Sequence, residues 1–320
     1  MKPFHLAAAA VCFATTSATM AMAQEKVQIS YSGFVTIDHI DGAINDGNYF
    51  YGNGDVGFRW STVNDVKFGV DLGLEALGTF NDQVNYDFNA YYAAGVVEGR
   101  FGKISIGMPR GVMDHYFTVP TLGGSEIFDT DTILLGVDIF RYLKLFLSEK
   151  DMDMYGARYD GKFGKIEVGA SVSKFSDSWG NVAELVARYD AGQWSVTLGS
   201  TIFDPEVTSG NVASVNGTSL EVQGRSGKLT GGMVYSKWDK LFLSESIRGF
   251  VSYDLNDVIK LNTQVVHYQI DDQVNVDSES NIYSVDLSYK HETGAFINAG
   301  VISSDSWDGN EFSLSLGYKF

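Results

Sequence analysis

Phe312-Ser313-Leu314-Ser315-Leu316-Gly317-Tyr318-Lys319-Phe320 ends the chain with a strict alternation, large apolar residues at 312, 314, 316, 318 and 320 and small or polar ones between them. Successive side chains of a strand point to opposite faces. This segment therefore has one wholly apolar face and one polar face. The same pattern recurs in Val66-Lys67-Phe68-Gly69-Val70-Asp71-Leu72-Gly73-Leu74-Glu75, and along Ile166-Val168-Ala170-Val172, Trp194-Val196-Leu198 and Tyr283-Val285-Leu287-Tyr289. Alternation alone fits a soluble two-sheet sandwich as well as a transmembrane barrel.

Three features decide for the membrane. Tyr159, Phe163, Tyr189, Trp194, Tyr253, Tyr289, Phe296 and Tyr318 cluster at strand ends, where an aromatic girdle meets the lipid interface. The non-lipid face carries charges such as Asp71 and Asp286, which a sandwich would bury without partners. The terminal strand ends on an aromatic, Phe320, and a barrel that joins its last strand to its first leaves no free edge.

Connections between the alternating segments are short and long by turns. Short ones fall at Asn64-Asp65, Glu98 to Gly102, Gly161 to Gly164, Ala191-Gly192, Arg225 to Gly227, Asn256-Asp257 and His291 to Gly294. Longer polar stretches lie near residues 39 to 54, 78 to 85, 109 to 152, 176 to 181, 204 to 217, 238 to 246, 271 to 280 and 304 to 310. Fifteen connections predict about sixteen strands, and an even count with turns at one end and loops at the other is the bacterial outer-membrane pattern.

The N-terminus has Lys2 as its only early charge, an apolar run from Leu6 to Phe13 and Ala21-Met22-Ala23 before Gln24. That predicts a secretory signal over residues 1–23 and a barrel over 24–320. Cleavage would remove Lys2 and Cys12, taking the net charge from −17 to −18 and leaving no cysteine. The acidic balance argues against nucleic acid as a partner. Beyond the signal no stretch is apolar for the length a membrane helix requires, while 35 glycines and only 4 prolines favour strands and tight turns.

The opening strand Val27-Gln28-Ile29-Ser30-Tyr31-Ser32-Gly33-Phe34, the turn-strand Gly99-Arg100-Phe101-Gly102-Lys103-Ile104-Ser105-Ile106-Gly107, the long loop after it and the terminal Leu316-Gly317-Tyr318-Lys319-Phe320 resemble the trimeric general porins of Gram-negative bacteria, particularly the alphaproteobacterial type. The resemblance implies an all-β, antiparallel transmembrane barrel in the outer membrane, a homotrimer in lipid, and passive diffusion of small hydrophilic solutes and ions. It also implies that Phe320 is read by the insertion machinery, and that the long third loop, from Pro109 to about Met152, folds into the pore as an eyelet whose tip is Pro120-Thr121-Leu122-Gly123-Gly124. On that reading Asp114, Glu126, Asp129 and Asp131 form the acidic side of the constriction. Carboxylates inside a low-dielectric wall raise the local cation concentration, so a weak cation preference is expected. Arg59, inward by alternation with Phe58 and Trp60, and Arg110 form the basic side. Lys67, Arg158, Arg188 and Lys260 also point inward but nearer the rim. The alternative is a substrate-selective porin with a binding site on the third loop, suggested by Tyr116 and Phe117 beside Asp114.

Other motifs carry no chemistry. Gly52-Asn53-Gly54-Asp55-Val56-Gly57 has the spacing of a dinucleotide fingerprint but precedes a strand, not a helix N-terminus. Asp129-Thr130-Asp131 and Asp151-Met152-Asp153 lack the glycine and glutamate spacing of a calcium loop. His39, His115, His267 and His291 are scattered, and no nucleophile–base spacing is singled out. Neither cofactor, metal nor enzymatic activity is expected.

Overall fold

The computed structural model describes residues 27–42, 46–61, 65–80, 87–125, 154–176, 180–206, 214–239, 243–270, 278–306 and 308–320. The predicted signal (residues 1–23) and the predicted loop acids Glu126, Asp129 and Asp131 lie outside them. Sixteen strands follow one another: β1 (Val27–Asp41), β2 (Gly47–Ser61), β3 (Lys67–Thr79), β4 (Asp87–Gly99), β5 (Gly102–Met108), β6 (Met154–Phe163), β7 (Ile166–Phe175), β8 (Asn181–Asp190), β9 (Trp194–Asp204), β10 (Val215–Ser226), β11 (Leu229–Trp238), β12 (Leu243–Asp254), β13 (Ile259–Ile270), β14 (Ser278–Lys290), β15 (Ala295–Ser304) and β16 (Asn310–Lys319). Each pairs antiparallel with its sequence neighbours, and β1 pairs β16 to close the barrel. Phe320 adds the last rung: its N–H donates to the Gly33 carbonyl at 2.9 Å and its carbonyl accepts from the Gly33 N–H at 3.1 Å. Closure satisfies every edge that lipid would leave unpaired.

The terminal strand shows the two faces. Phe312 and Leu316 are 57% and 51% exposed, while Ser315 between them is 1% exposed. Trp60, Phe68, Phe163, Tyr189, Trp194, Tyr253 and Tyr318 are exposed near the short-turn end, which is the girdle expected of a lipid-facing surface. Phe296 is an exception: it alternates with the exposed Ile297 and turns into the lumen, where its ring fills the place a Cβ on Gly317 would take.

The inward face is not polar throughout. Toward the long-loop end Ile40, Leu77, Val266, Ile282 and Ile302 are buried in one cluster with Leu122 of the third loop, and Met154, Phe175, Val182, Val215 and Trp238 form another. Buried inward polar residues occur among them as well, with Ser246, Ser280, Ser304 and Glu311 at the same end. The third loop carries two helical elements, α1 (Met113–Tyr116) and a 3-10 turn at Leu122–Gly124.

Candidate pore constriction

Residues 109–125 of the third loop run along the inner wall of the barrel, fastened to it strand by strand. At its start Arg110 donates to Asp55 (3.0 Å), Glu75 (3.1 Å) and Asn53 (3.0 Å), pairs with Asp114 at 3.8 Å and stacks on the Tyr92 ring at 3.9 Å. Glu75 is wholly buried and also accepts from the hydroxyls of Tyr51 and Tyr92. A buried carboxylate is stable only when paired and hydrogen-bonded, and here one arginine and two phenols supply that. Arg158 on β6 holds the next carbonyls, reaching Gly111 O at 2.8 Å.

α1 then crosses β7 to β9. Val112, at its N-cap, makes no side-chain cap of its own. Glu184 of the wall accepts the Val112 N–H at 2.8 Å and the Ser171 hydroxyl at 2.7 Å, doing for this helix start what a capping side chain does elsewhere. Met113 lies on Gly199 and Tyr116 on Gly169, where any side chain would collide with them. The Tyr116 hydroxyl donates to Val168 O at 2.9 Å. Burial first, then the neighbouring Asp160, pushes its pKa up to about 12, so it stays a donor.

Beyond α1 the chain passes β10 to β16. Glu221 accepts the Thr118 N–H at 2.9 Å, Arg248 donates to Pro120 O, and Gln264 donates to Thr121 O at 2.7 Å. Gly123 and Gly124 adopt φ of +59° and +72°, a region glycine enters without steric cost. Their carbonyls accept from Ser313 (2.5 Å), Ser315 (3.0 Å) and Asn298 (3.1 Å). Ser125 donates to Asp38 on β1 at 2.6 Å, completing the circuit.

From Val112 to Ser125 the loop thus lies against β7–β10, β12–β16 and β1, and among the described residues a space is left beside β2–β6. There a cavity of about 750 Å³ is bounded by His115 and Tyr116 of the loop and by a wall of charges. Asp55, Asp71, Glu98, Asp160 and Glu167 face Arg59, Lys103, Arg110, Arg158 and Lys162 in its lining. Arg59, predicted to be on the basic side of the constriction, contacts Asp71 at 2.7 Å and Glu98 at 3.3 Å. It reaches Glu98 on β4 by lying across Gly69 of β3. Arg110 borders the same cavity, but its charge is held by the acids it fastens to. Asp114, predicted as an eyelet acid, is its partner in the loop. Lys67 and Arg158, set nearer the rim in the sequence reading, join this charged system, and Arg188 reaches Tyr116 O at 3.4 Å. Arg248 and Gln264 were not singled out from sequence; the available signal was two polar residues at inward positions of adjacent strands, without any indication that the loop tip would cover them. His115 borders the open space. Burial lowers its pKa below the usual 6.5, with Arg158 and Lys103 lowering it further against Asp160 and Asp114.

The model of the Gram-negative porin family matches residues 7–306. Among solved structures, a triple variant of the Rhodopseudomonas blastica porin is similar at a TM-score of 0.65 and 12% identity, over 92% of this chain and 100% of that one. A porin refined at 1.8 Å resolution is similar at a TM-score of 0.61 and 18% identity, with the same coverage. No curated protein matches the chain at a significant level. A closed barrel of sixteen strands, a loop laid inside it and a family match over nearly the whole length agree: the chain belongs to the Gram-negative porin family, whose members are outer-membrane channels.

Proposed function

We propose that the protein is a general diffusion channel for small hydrophilic solutes and ions, with a weak cation preference. The observation that carries this reading is the charged cavity between His115 and Tyr116 of the loop and the wall of β2–β6. Its lining is balanced in sign, so the preference rests on the −17 charge of the chain and on the loop acids Glu126, Asp129 and Asp131. Asp114 adds to it in part, because the single charge of Arg110, 3.8 Å away, is shared with Asp55 and Glu75. Residues 1–23 serve as the cleaved export signal, Phe320 as the insertion signal, and the barrel works as a homotrimer in outer-membrane lipid, without cofactor or metal. The Phe320 ring lies over Gly33 and Gly54, near where their Cβ atoms would stand, which leaves the terminal aromatic on the surface of the seam.

Single-channel conductance in a planar bilayer under a KCl gradient tests the reading. Steps grouped in threes and a reversal potential of cationic sign are expected. A variant carrying Glu126→Gln, Asp129→Asn and Asp131→Asn should conduct with a weaker cation preference. Absence of conductance would refute the channel, and unchanged selectivity in the variant would remove the loop acids from the constriction.

A further inference from the structure

The charges beside the cavity form one alternating series. Lys67 contacts Glu98 (3.9 Å), Glu98 contacts Arg59 (3.3 Å), Arg59 contacts Asp71 (2.7 Å), Asp71 contacts Lys103 (3.6 Å), Lys103 contacts Asp160 (4.0 Å) and Asp160 contacts Arg158 (2.6 Å). The links at the two arginines are within hydrogen-bond reach. Both links at Lys103 are longer than a hydrogen bond allows, and Lys103 and Asp71 each keep 32% of their side chain exposed. The Lys67–Glu98 link is as long and slightly more exposed, at 34% and 38%, but Lys67 does not line the cavity; the links at Lys103 are the loose ones whose partners both border a space of the size that takes a small solute.

We propose that Lys103 and Asp71 form a binding site for zwitterionic solutes of the α-amino-acid class, which the channel then passes in preference to uncharged solutes of the same size. The inference rests on the channel reading above. A zwitterion brings both complementary charges on one small molecule: its carboxylate meets Lys103 and its ammonium meets Asp71, so one long contact is exchanged for two direct ones. The lining stays neutral. A simple anion or cation gains only one of the two contacts while it parts Lys103 from Asp71, which keep only Asp160 and Arg59 respectively, and an uncharged solute gains neither.

Swelling of proteoliposomes at pH 7 in isosmotic arabinose, L-alanine and lactamide separates the two readings. Arabinose reports the open channel; alanine and lactamide are close in size, and only alanine is zwitterionic. Alanine should enter about threefold faster than lactamide, as two exposed charge contacts allow. The Lys103→Met, Asp71→Asn double variant, which keeps the net charge, should bring the ratio to about one at an unchanged arabinose rate. No arabinose entry through the wild type would overturn the channel reading itself. Arabinose entry with equal alanine and lactamide rates, or a preference that survives in the double variant, would overturn the zwitterion site alone.

Discussion

The two sides of the lumen use the same kinds of residue for different ends. Along β8–β16 and β1, inward Glu184, Glu221, Gln264, Ser313 and Asp38 each take a group of the third loop. Along β2–β6, inward Arg59, Asp71, Lys103 and Asp160 take one another and face open space. Strand periodicity fixes which residues point inward; what they meet there depends on where the loop lies. Changes on the loop side should therefore alter how firmly the loop is held and leave ion selectivity alone, while changes on the cavity side should do the reverse.

Glu75 stands at the junction and should give the largest effect. It is fully buried and holds Arg110, Tyr51 and Tyr92 together. Glu75→Ala strips a buried guanidinium of one of its acids, a loss of about 3 kcal/mol. Amide exchange at Val112 and Thr118, whose N–H groups are held by the wall, should then speed up by about a hundredfold. Unchanged protection would mean that Arg110 does not anchor the loop.

A smaller loosening is expected one strand pair away. Gln264 donates to Thr121 O and accepts from Arg248, so Gln264→Ala removes two hydrogen bonds, worth about 1 to 2 kcal/mol together. Exchange at Ser125, whose N–H donates to Leu122 O within the 3-10 turn, should rise by about tenfold with the KCl reversal potential unmoved. A shifted reversal potential would break the division between a holding wall and a conducting wall.

The barrel was legible from sequence because lipid on one side and water on the other enforce a period of two, and every short turn had its Gly, Asn or Asp signal. Gly164, Gly192, Gly227 and Gly294 indeed take positive φ there. The turn of Phe296 into the lumen was not legible, since an aromatic beside a short turn reads as girdle until the parity of its strand is known. Neither were the inward Ile40, Ile282 and Ile302, which are apolar because Leu122 of the loop packs on them. The position of the long loop after the fifth strand was legible, and Arg59 does line the cavity beside it, but the circuit of ion pairs was not. The Arg59–Glu98 contact skips a strand and exists because Gly69 between them has no side chain, a relation that appears only once β2, β3 and β4 are in register.

His115 offers the finest test, because it is a loop residue on the conducting side. Its pKa lies below 6.5, lowered by burial and by Arg158 and Lys103 against the opposing pull of Asp160 and Asp114, so it is neutral at pH 7. Acidification below pH 6.5 protonates it. That adds a positive charge to a lining otherwise balanced in sign, and cation preference should fall as the pH falls. The sign follows from the direction of the shift: a lowered pKa places the change on the acid side of 6.5, whereas a raised one would place it above. In His115→Gln the reversal potential should stay flat over this range, at an unchanged rate of loop amide exchange. A pH dependence that persists in the variant would move the titrating group off the loop and onto the wall. A variant with altered exchange would show that His115 helps to hold the loop, and the contrast between the two sides of the lumen would then fail at the one residue where they meet.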